Sequence, residues 1–176
     1  MRHGAAAPGQ PAAEIHDTRM TRRASATHVV DVVADSGPLL ALFNRSDNWH
    51  GRVVDWLRRN PQARVISTWP VATEVCALLA RRVSNAAALD FLRWIERGGL
   101  TLDVPAPAAT LQEVLRISVR FADLPFDLPF DLADASVAEA AGRLKIRHVL
   151  TIDSDFDVYR DRQGRALTRV PDLLPA

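Results

Sequence analysis

Two mainly apolar runs, far apart in this 176-residue chain, each end in an aspartate. Residues 29–34 lead into Asp35, and residues 148–152 lead into Asp153. Short apolar runs of this kind predict strands that are buried on both faces. Because segments with helical spacing separate them, we predict an α/β fold, with three α/β/α layers around a mainly parallel sheet. The carboxyl ends of such strands share one crevice, where ligands usually bind.

The composition is that of one globular domain. Apolar residues make up 48% of the chain, and no apolar run approaches the roughly 20 residues of a membrane span. Residues 1–27 show no apolar periodicity, so we predict a flexible tail there and a single domain over 28–176. We read no signal peptide and expect a cytoplasmic protein without a membrane partner. Met20 is an alternative start.

Cysteine and arginine usage narrow the function classes. The single cysteine, Cys76, excludes a disulfide within the chain and a multi-cysteine zinc site, and its apolar neighbours predict a buried, inert thiol. Of 22 basic residues 21 are arginine, with Lys145 as the exception. Arginine suits phosphate recognition, but a general composition bias explains this usage equally well. The net charge of +1 neither requires nor excludes a nucleic-acid partner.

Further elements follow from spacing and from turn residues. Residues 36–38 (Ser-Gly-Pro) are interpreted as a break before a short helix that begins at Leu39. A second helix is predicted from Trp49, after a cap in residues 46–48. The remaining predictions are strands 64–68, 100–104 and 166–170 and helices 70–82, 85–97, 108–121 and 131–144.

Four carboxylates lie where these elements begin or end: Asp35, Glu74, Asp134 and Asp153. Three of them have local structural explanations. Asp35 suits a turn or a helix cap, and Asp134 suits the third position of a capping box that begins at Asp131. Glu74 suits an exposed helix face or an ion pair with an arginine, although its apolar neighbours speak against an exposed face.

One divalent cation explains all four acids together. Carboxylates that share a crevice repel one another at neutral pH unless a cation lies between them, and hard divalent metals prefer oxygen ligands. The acids after the last main strand do not form a calcium loop, because Val158 and Gly164 stand where an EF-hand needs glycine and glutamate. The pattern therefore favours a metal-dependent enzyme.

Taken together, four stretches resemble the PIN domain, specifically the VapC-type toxins of bacterial toxin–antitoxin pairs. They are Val32-Val33-Ala34-Asp35-Ser36-Gly37-Pro38-Leu39-Leu40-Ala41-Leu42, Thr73-Glu74-Val75, Asp131-Leu132-Ala133-Asp134-Ala135-Ser136 and Leu150-Thr151-Ile152-Asp153-Ser154-Asp155-Phe156. The resemblance covers about residues 29–171. It implies a PIN-like nuclease domain over 28–176. The longer N-terminal tail departs from the family pattern.

The resemblance also implies an activity, a site and partners. Catalysis and binding of Mg²⁺ or Mn²⁺ would fall to the four acids, with Asp155 as an auxiliary metal ligand and with Ser36 and Thr151 as orienting groups. Proteins of this kind are endoribonucleases, usually homodimers, silenced by a small cognate antitoxin. RNA is then the substrate. The arginines considered for the RNA backbone are Arg45, Arg81, Arg82 and Arg160, with no ground in the sequence for choosing among them.

Three alternatives stay open at this point. A phosphatase or phosphotransferase with Asp35 as nucleophile would need a lysine near the phosphate, and Lys145 precedes the last main strand by several residues. A housekeeping PIN-type nuclease in RNA processing would share the chemistry but not the toxin role. A non-catalytic binding module would retain the acids only as caps or remnants.

One further feature is a tandem repeat. Asp123-Leu124-Pro125-Phe126 is followed by Asp127-Leu128-Pro129-Phe130 with no change, directly before the segment that carries Asp134. A short duplication that lengthens a loop is the simpler interpretation, and a wider gate over the site is the alternative.

Overall fold

The computed structural model of the chain describes residues 30–121, 131–161 and 163–170. Its described strands form one sheet, and all pairs are parallel in the order β3-β2-β1-β4-β5. The strands are β1 (Asp31–Ala34), β2 (Arg64–Thr68), β3 (Thr101–Asp103), β4 (His148–Leu150) and β5 (Thr168–Arg169). The predicted α/β class and the parallel sheet are confirmed.

The six described α-helices lie between these strands in the sequence. They are α1 (Ser36–Phe43), α2 (His50–Arg59), α3 (Trp69–Arg82), α4 (Asn85–Glu96), α5 (Pro107–Phe121) and α6 (Leu132–Leu144). A short 3₁₀ helix, Ser154–Asp157, follows β4. Parallel strands need right-handed crossovers. The helices that follow β1 and β2 therefore cover one face of the sheet, and α5 and α6 cover the other.

β1 lies at the centre of the sheet and sets the position of the site. Val32 is in register with Val65 of β2, and Val33 is in register with Val149 of β4. All four of these valines are buried, as expected for strands that are covered on both faces. The carboxyl ends of β1, β2 and β4 therefore meet at one edge of the sheet.

The predicted break at residues 36–38 is wrong. Helix α1 begins at Ser36, with Asp35 as its N-cap, and runs through Gly37 and Pro38. Proline is tolerated there because the first N–H groups of a helix have no partner within the helix. The strands predicted over 100–104, 148–152 and 166–170 are shorter in the structure, at 101–103, 148–150 and 168–169.

Several sequence predictions concern residues outside the described ranges. The tail at 1–27 and the repeat at 123–130 are among them, so both stay predictions, as do the domain bounds. Of the helices that the structure describes, none combines the length and the apolar character needed to cross a membrane. Cys76 is half-buried, and burial raises the pKa of its thiol, which agrees with an unreactive side chain.

Candidate active site

Asp35 lies directly after β1 and is 4% exposed. Its Oδ1 accepts a 2.6 Å hydrogen bond from the backbone N–H of Ser36, the first residue of α1. Its Oδ2 accepts a 2.8 Å hydrogen bond from the hydroxyl group of Thr151, which follows β4. Residues that follow two different strands, β1 and β4, therefore hold the two oxygens of this carboxylate.

The Thr151 side chain also reaches the second aspartate. Its Oγ1 accepts a 3.0 Å hydrogen bond from the backbone N–H of Asp153. Asp153 is in turn the N-cap of the 3₁₀ helix, where its Oδ1 accepts a 2.8 Å hydrogen bond from the N–H of Asp155. One threonine thus fixes the position of Asp153 relative to Asp35.

Asp134 belongs to the first turn of α6. The predicted capping box is confirmed: Oδ1 of Asp131 accepts from the N–H of Asp134 at 3.1 Å, and Oδ2 of Asp134 accepts from the N–H of Asp131 at 3.1 Å. A buried pair of hydroxyl groups attaches this turn to the sheet. Thr68 at the end of β2 and Ser136 lie 2.6 Å apart, oxygen to oxygen. Asp134 therefore lies at the same edge of the sheet as Asp35.

These hydroxyl groups also connect α6 to the start of α3. Ser136 donates to the carbonyl of Ala133 at 2.7 Å, so Thr68 is the donor to Ser136. Thr68 is also the N-cap of α3, where its Oγ1 accepts from the N–H of Val71 at 3.4 Å. This contact was not predicted from the sequence. The position of Thr68 before Trp69 and Pro70 predicts that it caps α3, but nothing in the sequence indicates that it also contacts Ser136.

Glu74 approaches the cluster from α3. The hydroxyl group of Ser36, at the start of α1, lies near its carboxylate. Burial and repulsion from Asp131 raise the pKa of Glu74, whereas the Ser36 hydroxyl and Arg82 lower it. The electrostatic role of Asp131 was also missed, because the sequence indicated only a cap there.

Asp35 lies within electrostatic range of the other three acids. Burial raises the pKa of Asp35 to about 6, with repulsion from Asp153 and Glu74 adding to it, while the hydrogen bonds from Thr151 and Ser36 lower it. Burial, followed by repulsion from Asp35, raises the pKa of Asp134 to about 7. Acids with raised pKa values in a shared crevice are typical of functional sites.

The carboxylate oxygens of the four acids are suitable ligands for a hard divalent cation, although the side chains are not arranged as a ready-made metal site. Among the described residues, no three side chains of metal-binding types form a ready-made ligand group. One oxygen of Asp134 and one of Asp153 serve as caps. Their other carboxylate oxygens have no hydrogen-bond partner among the described residues, and carboxylate oxygens are what Mg²⁺ accepts.

The other predicted residues lie at varied positions. Asp155 contacts Asp153 through its backbone N–H, and its role as a ligand stays a prediction. Arg82 acts on Glu74 through charge. The guanidinium of Arg160 donates to the carbonyls of Asp157 and Tyr159 at 2.6 and 2.7 Å. Arg45 and Arg81 are exposed.

A shallow depression of about 600 Å³ runs past Glu74. We call it the acid groove. It lies between the first turns of α3 and α6, and its lining includes Trp69, Pro70, Glu74, Asp131 and Leu132. Of the four predicted acids, Glu74 is the one that lines this groove, so the groove approaches the cluster from the side of α3.

Comparisons with known proteins agree with the geometry. No family model matches the chain. Ribonuclease VapC26 of Mycobacterium tuberculosis is 30% identical over 141 residues, which covers 80% of this chain and all of that protein. The crystal structure of VapC20 of M. tuberculosis, described as a toxin that cleaves the sarcin–ricin loop, superposes with a TM-score of 0.63 at 20% identity. The match covers 72% of this chain and 93% of that one.

The structural match supports the fold, and the full-length sequence match identifies the relatives. Together with the acids at the edge of a parallel sheet, they confirm the resemblance that the sequence motifs indicated. The chain belongs to the VapC family of PIN-domain ribonuclease toxins.

Proposed function

We propose that this protein is a metal-dependent endoribonuclease that hydrolyses RNA phosphodiester bonds and acts as the toxin of a VapBC-type toxin–antitoxin pair. One observation carries the proposal: Thr151 connects Asp35 to Asp153 at the edge of the sheet, where Asp134 is close enough to repel both. Family membership supplies the reaction type, and this cluster supplies a place for it.

We propose that Mg²⁺ or Mn²⁺ is held by Asp35, Glu74, Asp134 and Asp153, with Asp155 as an auxiliary ligand. Bound there, the cation would supply the Lewis acidity that phosphodiester hydrolysis needs. Neutralisation of the crowded carboxylates is a further reason for a cation, since burial and mutual repulsion raise the pKa values of Asp35 and Asp134.

The remaining groups of the site position these acids. The N–H of Ser36 and the hydroxyl group of Thr151 each donate to one oxygen of Asp35 and so fix the orientation of this buried carboxylate. The charge of Arg82 acts on the cluster through Glu74, whose pKa it lowers. Of the four arginines named above, we therefore favour Arg82 for the backbone of the RNA.

We further propose a homodimer and a small antitoxin partner, both in the cytoplasm, where the RNA substrate is found. Leu115 and Val119 of α5 support a protein partner, because they are 62% and 67% exposed and lie one helical turn apart. Exposed apolar side chains in a row on one helix face commonly mark an interaction surface.

The test compares induced expression of the wild-type protein with that of the Asp35→Asn variant, followed by mapping of RNA 5′ ends. We expect growth arrest and new 5′ ends in the wild type alone. In vitro, EDTA should abolish cleavage, and Mg²⁺ or Mn²⁺ should restore it. Asp90→Asn is a matched control, because Asp90 is an exposed acid paired with Arg93 on α4.

The outcomes separate the alternatives. If wild type and Asp35→Asn behave alike in the cell and in the tube, the nuclease proposal is wrong. Metal-dependent cleavage without growth arrest would favour a housekeeping PIN-type nuclease. Cleavage that persists in EDTA would remove the metal from the proposal.

A further inference from the structure

A second depression lies beside the acid groove. It has a volume of about 470 Å³ and is enclosed by the start of α3, the segment after β3, and helices α5 and α6. We call it the apolar cleft. Its apolar lining includes Trp69, Val104, Pro105, Leu111, Val114 and Leu132. Small-molecule sites have volumes of about 300–1,000 Å³.

Large apolar side chains stand open to solvent around this cleft. Trp69 is 56% exposed, Val104 76%, Leu111 66% and Leu132 58%. An exposed group of this kind on a soluble domain usually marks a binding surface. Trp69 in particular offers a wide aromatic face, which is a surface on which flat rings stack.

The polar groups of the cleft already have partners. Thr68 and Ser136 hydrogen-bond to each other. Arg143 pairs with both Asp103 and Glu139, and its Nε donates to Glu139 at 2.8 Å. Since one guanidinium serves two carboxylates, a phosphate would find no free positive charge among these groups. The cleft therefore suits an uncharged, flat and largely apolar group.

The cleft and the acid groove share one wall. Trp69, Pro70 and Leu132 line both depressions. In single-stranded RNA every phosphate is bonded to a nucleoside, so a phosphate held at the acids brings a nucleobase to the neighbouring surface. The continuity of the two depressions favours RNA over a protein segment as the occupant.

We propose that a nucleobase next to the scissile phosphate leaves its stack and packs against Trp69 in the apolar cleft. This inference rests on the proposed ribonuclease function and adds a substrate subsite to it. Enzymes that act on nucleic acids commonly hold an extruded base between aromatic and apolar side chains. Such stacking tolerates every base, because each has a π face. The cleft would therefore select for unpaired rather than paired RNA.

The test uses the RNA fragment that spans the cleavage site mapped above. Binding of this labelled fragment is measured by fluorescence anisotropy in the non-cleaving Asp35→Asn protein, with and without Trp69→Ala. Abasic sites are placed in turn at three positions on either side of the cut. We expect Trp69→Ala to weaken binding about tenfold or more, and an abasic site at one position to weaken it equally.

The two changes should not add. If Trp69 stacks on that base, the Trp69→Ala variant should lose nothing further when the base is missing. Trp69→Phe should restore most of the affinity. Leu89→Ala is the matched control: Leu89 is 51% exposed on α4 and lies outside the cleft, so RNA binding should be unchanged.

Other outcomes overturn the inference. If Trp69→Ala binds RNA as tightly as the protein with Trp69, stacking on Trp69 is excluded. The same holds if the losses of affinity from Trp69→Ala and from the abasic site add at every position. In both cases the wild type still cleaves, so the proposed function stands. A Trp69→Ala variant that loses its dimeric state in sedimentation but binds RNA normally would assign the cleft to an interface between two copies. If the wild type shows no metal-dependent cleavage, the proposed function itself is wrong, and the base subsite is wrong with it.

Discussion

The hydroxyl group of Thr151 donates to Oδ2 of Asp35 across the junction of β4 and β1. Oγ1 of Thr151 also accepts a hydrogen bond from the backbone N–H of Asp153. One side chain therefore sets the separation of two acids that follow different strands. A donor and an acceptor are both needed at this point. Serine and threonine supply both, whereas valine has the right shape and supplies neither.

We predict that Thr151→Val destabilises the protein by about 1–3 kcal/mol, because a buried carboxylate and a backbone N–H each lose a partner. Cleavage should fall more than stability alone explains, since Asp153 is no longer fixed relative to Asp35. Urea unfolding and single-turnover cleavage measure the two effects. Thr151→Ser retains the hydroxyl and should restore both; if it does not, the hydrogen bonds are not the cause.

Asp35→Asn should stabilise the metal-free protein while it abolishes cleavage. Burial raises the pKa of Asp35 from 3.8 to about 6, so holding the charged form at pH 7.5 costs stability on the order of 1–3 kcal/mol. The amide carries no charge; its single oxygen can still accept from the N–H of Ser36, and its NH₂ group can donate to the hydroxyl oxygen of Thr151. Thermal unfolding in EDTA checks this, and a less stable variant would contradict it.

Without metal, stability should fall as the pH rises from 5 to 8. The pKa values of Asp35 and Asp134 are raised to about 6 and about 7. In this window the folded protein therefore binds more protons than the unfolded chain, and unfolding becomes easier as those protons are lost. Melting curves in EDTA measure the slope. The double variant Asp35→Asn/Asp134→Asn should flatten it.

Metal affinity should follow the opposite trend. Carboxylates must lose their protons before they bind a cation, so we expect Mn²⁺ to bind roughly tenfold or more tightly at pH 8 than at pH 6. Titration calorimetry at the two pH values provides the comparison. Equal affinities would mean that Asp35 and Asp134 are not among the ligands.

Gly37→Ala should disturb the site through packing. A Cβ atom at this position would lie 2.8 Å from Cγ1 of Ile152, between the Asp35 and Asp153 sides of the cluster. We expect a loss of about 1 kcal/mol, since overpacked sites must shift, and slower cleavage. Adding Ile152→Ala should relieve the contact and restore the rate.

Gly142→Ala serves as the control for that experiment. Among the described residues, no atom other than those of its chain neighbours and of its own helix backbone lies within 4 Å of the Cβ position at Gly142, which belongs to α6. Alanine should therefore stabilise the helix by about 0.5–1 kcal/mol. Both proteins can be compared by urea unfolding, and a loss of stability in Gly142→Ala would show that the steric explanation is incomplete.

Much of the site could be predicted because parallel sheets impose a simple rule. Apolar runs predict β1 and β4, so the sequence alone places Asp35 and Asp153 at one edge of the sheet. Asp134 was identified both as a capping residue and as a candidate ligand. The structure confirms the cap, and its pKa of about 7 supports the second role without testing it directly.

Contacts between distant side chains could not be predicted. The pairing of Thr68 with Ser136 spans 68 residues, and neither side chain carries a local pattern that names its partner. The break predicted at residues 36–38 failed for a related reason. Glycine and proline usually end helices, but at a helix start proline costs no hydrogen bond, and the side chain of Asp35 supplies the cap.

The separation of Asp35 from Thr151 by 116 residues has a consequence during synthesis. β1 leaves the ribosome early, yet its carboxylate gains the β4 contacts only after residues 148–153 have also emerged. A nascent chain that is interrupted before that point lacks the contacts of Thr151 with Asp35 and Asp153. The growing polypeptide therefore holds Asp35 without its Thr151 partner until the segment that follows β4 has been translated.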